Sequence, residues 1–291
     1  MKEKVVFIIN PISGNKKKNG IEASIHEILD HKFETVIEYT KAPGHATEIA
    51  TRVIEEGVKY VIAVGGDGTV NEIASALVHS PVYFGIIPAG SGNGLARHLE
   101  IPMKTEDAIR LLLTARKTSI DYGIVNDKIK FFCTTGVGFD AHIGYQFSVA
   151  AKRGFLTYIK TTIKEYFSYK PIKYRLKSEG FKTKHKAFLV TVANASQYGN
   201  NAYIAPEADI QDGLLNVSVI KPFPKFGALM IGLRLFGKSI DKSPYVETYL
   251  TNEIQVKRKK KGEIHFDGEP MQMGKKLNIK IVPAGLNVLV P

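Results

Sequence analysis

The sequence has a single cysteine, Cys133, so it can form no internal disulfide and no cysteine-based zinc site. Set in the apolar run Phe131-Phe132-Cys133, that cysteine reads as core rather than nucleophile. No uninterrupted run reaches the roughly 18 apolar residues of a spanning helix, which argues against one. No N-terminal stretch joins a basic start, an apolar run and a small-residue cleavage site; residues 4–9 read as a first strand instead. Internal repeats are absent. These absences point to a cytoplasmic protein. Acidic residues are also scarce: 28 Asp and Glu stand against 40 Lys and Arg, a net charge of +12. The excess suits a polyanion, whether nucleic acid, an anionic membrane surface or phosphate-rich ligands. No basic–aromatic module supports nucleic acid, so none is expected as a partner.

What is present is a normal globular composition, 44% hydrophobic, in 291 residues, a length that suits two domains better than one. Apolar strands at 5–9, 34–39, 60–64 and 83–87 alternate with helical patterns at 21–29, 46–56, 70–78 and 106–114, the rhythm of a parallel α/β sheet. From about residue 118 the rhythm changes. Strands are expected at 120–125, 129–134, 172–177, 187–193, 214–220, 253–256, 263–266 and 277–281, punctuated by Asn-Asp, Asp-Gly and Pro. That is the pattern of a mostly antiparallel sandwich, interrupted by helices near 141–167 and 225–236. The division falls near residue 125: an α/β domain over 1–125 and a β-sandwich over 126–284. The basic run 257–261 ends in Gly262 and reads as a solvated hairpin turn.

Three strand ends carry glycine-rich loops. Strand 60–64 runs into Gly65-Gly66-Asp67-Gly68-Thr69, and a helix follows at once. Glycines let backbone approach a ligand closely, and the free amides of the helix start favour an anion. Thr69 and Glu72 fit a capping box. Asp67 has no evident structural use; a carboxylate beside phosphate needs a divalent cation between them, such as Mg²⁺. Strand 5–9 leads into Asn10-Pro11-Ile12-Ser13-Gly14, and strand 83–87 into Pro88-Ala89-Gly90-Ser91-Gly92-Asn93-Gly94. In open parallel sheets ligands bind outside the carboxyl ends of the strands, so the three loops make one site. There is no Walker loop, and the first strand is not followed by a dinucleotide fingerprint. His26 and His31 are five apart and cannot share a metal on one helix face.

Four motifs in order, Asn10-Pro11-x-Ser13-Gly14, Gly65 to Thr69, Pro88 to Asn93 and Asp267-Gly268-Glu269, resemble the diacylglycerol kinase and sphingosine kinase catalytic family, including its bacterial soluble lipid kinases. The second motif alone is shared with NAD kinases. The resemblance implies a Rossmann-like α/β domain and a β-sandwich with the nucleotide in the cleft between them, residues 285–291 returning to the first domain. It implies ATP and Mg²⁺ as cofactors and a lipid hydroxyl, diacylglycerol-like or sphingoid, as acceptor. The nucleotide site would comprise Asn10, Ser13, Gly14, Thr40, Gly65, Gly66, Asp67, Gly68, Thr69, Asn71, Glu72, Gly90, Ser91, Asn93 and Arg97. Asp267 or Glu269 would be the general base, helped by Asp67 and Mg²⁺, and the residues do not rank the two. Asp140 matches a lipid head-group position, with helix capping as the alternative. Asp209, Asp212 and the Leu214 carbonyl match a structural Mg²⁺ site of some bacterial members, with an Asp-Gly turn as the alternative. The third loop departs from the bacterial pattern toward the sphingosine and ceramide kinase version.

A lipid kinase without a spanning helix meets its substrate at a membrane surface, peripherally. Phe226, Leu229, Met230, Leu233 and Phe236 form one helical stripe flanked by Lys225, Arg234 and Lys238; it fits an acyl cleft, an interfacial helix or packing on the sandwich. Phe155, Ile159, Ile163, Tyr166 and Phe167, with Lys152, Arg153, Lys160 and Lys164, offer the same choice. The expected partners are thus an anionic membrane surface and a lipid substrate, with a homodimer left open. An NAD kinase and a non-catalytic nucleotide- or lipid-binding protein are the alternatives.

Overall fold

A computed structural model describes residues 2–14, 20–148 and 155–291. Lys152 and Arg153 lie outside the described residues, as do the side chains of Phe155, Ile159 and Lys160. The chain divides into one unit of Met1–Ile120 with Ala284–Pro291 and a second of Asp121–Pro283.

The first unit alternates β1 (Glu3–Ile9), α1 (Ile21–Leu29), β2 (Phe33–Tyr39), α2 (His45–Glu55), β3 (Tyr60–Gly65), α3 (Asp67–Leu77), β4 (Tyr83–Pro88), α4 (Gly94–His98) and α5 (Thr105–Leu111). The strands run parallel in the order β2-β1-β3-β4. Helices cover such a sheet on both faces, and its strands therefore read as unbroken apolar runs. Phe7, Ile8, Ile9, Ile62, Ala63 and Val64 are fully buried. Because β1 is followed by β2 on one side and β3 on the other, the strand order reverses beside its carboxyl end, where ligands of open α/β sheets bind. Residues 284–291 close the far side of this sheet: Val288 pairs in parallel with Phe84, Asn287 Nδ2 donates to the Ser80 carbonyl, and the His79 amide donates to the Gly285 carbonyl.

The second unit contains β5 (Arg116–Val125, begun in the first), β6 (Ile129–Phe131), β7 (Thr134–Gly138), α6 (Phe139–Ser148), α7 (Phe155–Ser168), β8 (Ile172–Lys177), β9 (Lys182–Ala187), β10 (Leu189–Ala193) and β11 (Leu215–Ile220). It continues with α8 (Gly227–Phe236), β12 (Val246–Thr251), β13 (Glu253–Arg258), β14 (Gly262–Phe266), β15 (Glu269–Met273) and β16 (Lys276–Val290). An antiparallel sheet of order β12-β11-β10-β7-β14-β15 packs against antiparallel β16, β13, β8 and β9. Val190, Val192, Val217 and Ile264 meet Tyr174, Leu176, Val256 and Ile279 in the core between the two sheets.

Several expected elements differ. The strand expected at 129–134 breaks after Phe131, because the amides of Phe132, Cys133 and Thr134 turn to the Asp267 carboxylate. The helix expected over 141–167 is two helices, α6 and α7. The run 257–261 is only partly a solvated turn. Arg258 is buried and donates to the carbonyls of Gly262, Glu263, Met273 and Gly274, while Lys259, Lys260 and Lys261 are exposed.

Candidate active site

The three glycine-rich loops of the first unit are bonded to one another. Asn10 Nδ2 donates to Thr69 Oγ1 at 3.0 Å, joining the first loop to the second. Ser13 Oγ donates to the Asn10 carbonyl, and Gly14 has φ +75; a Cβ there would stand 2.1 Å from the Ala89 carbonyl oxygen. Asp67 links the second loop to the third, its carboxylate accepting the amides of Asn93 at 2.9 Å and Gly94 at 2.7 Å. Asn93, itself at φ +53, closes the third loop by exchanging hydrogen bonds with the amide and carbonyl of Gly90. Gly65 admits no side chain, since a Cβ there would meet Thr69 Cβ at 2.6 Å, and a Cβ on Gly66 would press on the Gly90 Cα at 3.1 Å.

The expected Thr69–Glu72 capping box does not form. Helix α3 starts earlier, at Asp67 with Gly66 as an extended N-cap, so Thr69 lies inside the first turn and makes no cap bond. Glu72 instead accepts the Gly44 amide at 3.1 Å, steadying the loop before α2. Asp67, which had no structural use in the sequence, has one here, as the acceptor that sets the third loop. Gly68 and Thr69 present amides that no intrahelical carbonyl can reach, the arrangement that receives phosphate. Ser91 is exposed on the third loop, Thr40 is buried with its amide bonded to the Ile9 carbonyl, and Asn71 accepts from Ser75. Arg97 Nε donates to the Gly92 carbonyl, so the arginine braces the third loop.

In the second unit the motif Asp267-Gly268-Glu269 separates its two carboxylates. Phe266 pairs with Glu269 across a two-residue turn in which Asp267 has φ +46 and Gly268 φ +87, the left-handed pair an Asp-Gly hairpin favours. Asp267 is buried, with both oxygens taken by three amides at 2.8, 2.8 and 3.0 Å. Glu269 opens β15 and is exposed, and its side chain has no hydrogen bond or ion pair among the described residues.

Asp140 does not simply cap a helix. It lies in the first turn of α6, where Oδ1 accepts the Ala141 amide and Oδ2 meets His265 Nε2 at 3.1 Å, Thr191 Oγ1 at 2.8 Å and the Tyr198 hydroxyl at 3.2 Å. Burial pushes its carboxyl up, but the His265 charge and the hydrogen bonds of His265, Thr191 and Ala141 outweigh that and leave it below the ordinary carboxylate value. Gly136, opposite His265 in the sheet, makes room: a Cβ there would lie 2.4 Å from Asp140 Oδ2. Reading the sequence missed His265, Thr191, Tyr198 and Gly136, because only strand register brings them to Asp140.

Asp209 and Asp212 each fold back onto an amide two residues on, Gln211 and Leu214, and both are exposed. The Gly213 amide between them donates to buried Asp121. This is the turn geometry of the alternative reading, and among the described residues no three His, Cys, Asp or Glu gather as metal ligands. The apolar stripe of α8 faces outward, with Phe226 96%, Leu229 73%, Leu233 60% and Phe236 53% exposed, while Ile231 and Leu235 on the other side pack on a second core cluster. Packing of that stripe on the sandwich is therefore excluded. No helix among the described residues is long and apolar enough to cross a membrane.

The sequence profile described as "Diacylglycerol kinase catalytic domain" matches residues 4–125, and that described as "YegS C-terminal NAD kinase beta sandwich-like domain" matches residues 134–290. The chain belongs to the family defined by that C-terminal domain, and its first part matches the diacylglycerol kinase catalytic domain. Its relatives in that family include proteins named "Probable lipid kinase YegS-like" from Klebsiella pneumoniae (strain 342) and Pseudomonas aeruginosa (strain UCBPP-PA14). The first is 27% identical, covering 98% of this chain and 95% of the relative; the second is 28% identical, covering 100% and 95%. A solved diacylglycerol kinase from Bacillus anthracis str. Sterne shares the fold, with a TM-score of 0.78 and 23% identity over 99% of this chain and 97% of that one. The two domain matches thus place the chain in the lipid kinase family of these relatives, and the NAD kinase alternative is not favoured.

Proposed function

We propose that the protein transfers the γ-phosphate of ATP to a hydroxyl of a membrane lipid, diacylglycerol-like or sphingoid. The observation that carries this reading is the Asp67 bond to the Asn93 and Gly94 amides, which organises a phosphate-accepting loop set beside the free first-turn amides of α3. Phosphoryl transfer needs positioned donors and charge neutralisation more than covalent chemistry, and these loops are made of backbone donors. Mg²⁺ fits as the counter-charge: Asp67 places a carboxylate beside the backbone donors of the loops and would hold the ion, whose chemistry is to neutralise phosphate charge. Asp209, Asp212 and the Leu214 carbonyl remain a proposed second, structural Mg²⁺ site.

Glu269 is the better candidate for general base. Its carboxylate is exposed and unengaged, whereas three amides occupy both oxygens of Asp267 and leave little room to take up an alcohol proton. Asp140, fully engaged with its neighbours, would act on the lipid head group by shaping the surrounding wall. The outward face of α8 supports peripheral contact with a membrane from the cytoplasm.

The test supplies purified protein with labelled ATP, Mg²⁺ and a panel of diacylglycerol, sphingoid base, ceramide, phosphatidylglycerol and NAD. Label entering one or more lipids is the expected result. Label entering only NAD would overturn the acceptor class, and no label despite ATP binding would favour a non-catalytic binding protein.

A further inference from the structure

The second unit carries a strip of positive charge that its own fold does not neutralise. In the β8–β9 hairpin the register sets Lys173 opposite Lys186, Arg175 opposite Lys184 and Lys177 opposite Lys182. All six are exposed, alternating with the buried Tyr174, Leu176 and Ala187, so all six point to the outer face. Directly opposed residues of an antiparallel pair stand about 4.5–5.5 Å apart at Cβ, and like charges so placed repel. Among the described residues none of the six has an ion-pair partner.

The pattern continues inward along the sheet. Arg175 pairs with Lys257 of β13, which in turn faces Lys276 of β16. The one carboxylate on these outward positions, Glu253, faces Lys280, and Lys280 is paired with Asp127. At one end of the hairpin, Lys173 and Lys186 line a cavity of about 610 Å³ with Lys170, Lys259, Lys260 and Lys261. Its carboxylate, Glu263, is held by His142.

Three consecutive like-charge pairs lower the stability of a hairpin, and a single alternation of sign would remove the cost. An anion laid across the face removes it as well, and one of suitable spacing turns repulsion into attraction. The outward positions bear no aromatic side chain on which bases could stack, and among the described residues they form an exposed strand face rather than a helix that could enter a groove. A flat array of phosphodiester charges matches the face better than a strand or duplex does.

We propose that this face docks the protein on an anionic phospholipid bilayer, the lysine-lined cavity receiving a phosphodiester headgroup. The choice of a bilayer rests on the lipid-kinase reading; the sign and placement of the charge rest on the register alone. The surface shares no residue with the glycine-rich loops, Glu269 or the α8 stripe, and gives the membrane an electrostatic hold that needs no apolar insertion.

The full chain is sedimented with vesicles of phosphatidylcholine alone or mixed equally with phosphatidylglycerol, over a range of salt. Binding is expected only to the acidic vesicles and is expected to weaken with salt. The variant Lys173→Gln, Arg175→Gln, Lys184→Gln, Lys186→Gln is expected to lose affinity by roughly fivefold per charge removed. Its melting temperature is expected to hold or rise, since opposed like charges have been removed. Turnover on a detergent-dispersed lipid acceptor is expected to match wild type. Vesicle binding unchanged in the variant, or no wild-type binding to acidic vesicles, would overturn the docking surface, as would binding to duplex oligonucleotide without binding to those vesicles. Absence of turnover in both proteins would instead count against the kinase reading, while the vesicle result stands by itself.

Discussion

Gly66 and Gly90, on different loops, approach so closely that a Cβ on Gly90 would stand 2.4 Å from the Cα of Gly66. Backbone meets backbone there, so neither side can yield by rotating a side chain. Gly90→Ala is expected to destabilise the first unit by about 1–3 kcal/mol and to weaken nucleotide binding. Gly180→Ala, in open space, is expected to change stability by less than about 0.5 kcal/mol. Urea unfolding of both variants makes the comparison; equal stability would refute the close approach.

Asp67→Ala removes the acceptor of two amides and the proposed holder of the metal. It is expected to abolish transfer and to cost about 1–3 kcal/mol through the partly buried amides left unpaired. Wild-type turnover in this variant would end the case for Asp67 as phosphate and magnesium organiser.

Asp267 and Glu269 are expected to respond in opposite ways. Asp267→Asn turns an amide group toward backbone donors and should lower stability by about 1–3 kcal/mol. Glu269→Gln should leave the melting curve in place and slow turnover by about 10²–10⁴. The reverse pattern, with Glu269→Gln active, would return the base assignment to Asp267.

The carboxyl of Asp140 is held below its ordinary value of 3.8, so its ionised form is favoured by folding. That contribution is in full force above about pH 4 and fades as pH falls through the folded value. Asp140→Asn is therefore expected to be less stable than wild type at neutral pH, with the gap narrowing below about pH 4. Unfolding followed from pH 7 to 2 measures it; a constant gap would disprove the linkage.

Leu229→Ser with Leu233→Ser, both on the exposed face of α8, should leave stability within about 0.5 kcal/mol of wild type. Turnover on vesicle-borne lipid should fall while turnover on dispersed lipid holds. Equal loss on both would assign α8 to the acyl-chain site rather than to surface contact.

The parallel half of the molecule was legible because β1, β3 and β4 are unbroken apolar runs, each ending in a glycine loop. Strand β9 was not: Lys182-Thr183-Lys184-His185-Lys186 has no apolar residue before Ala187, and pairing with β8 alone makes it a strand. In the site, the motif positions of Asp67 and Asn93 were readable, but not their bond, since the two lie 26 positions apart and the chain between them must fold to create it. The capping box failed for a local reason, the helix starting at Asp67 and placing Thr69 too deep to cap. Asp267 and Glu269 could not be ranked until the turn showed one buried and one exposed. His265 carries no sequence signal at all; its meeting with Asp140 is a consequence of register.

Completion of the first sheet waits on synthesis of the second unit. Phe84 of β4 finds its neighbour, Val288, only after residues 121–283 have been translated, an interval of roughly ten to thirty seconds at ribosomal speed. During that time β4 has an unsatisfied apolar flank, the kind of edge that invites pairing with another nascent chain. Residues 284–291 thus act as a late latch, and the protein's burden on chaperones is expected to depend on how quickly that latch emerges.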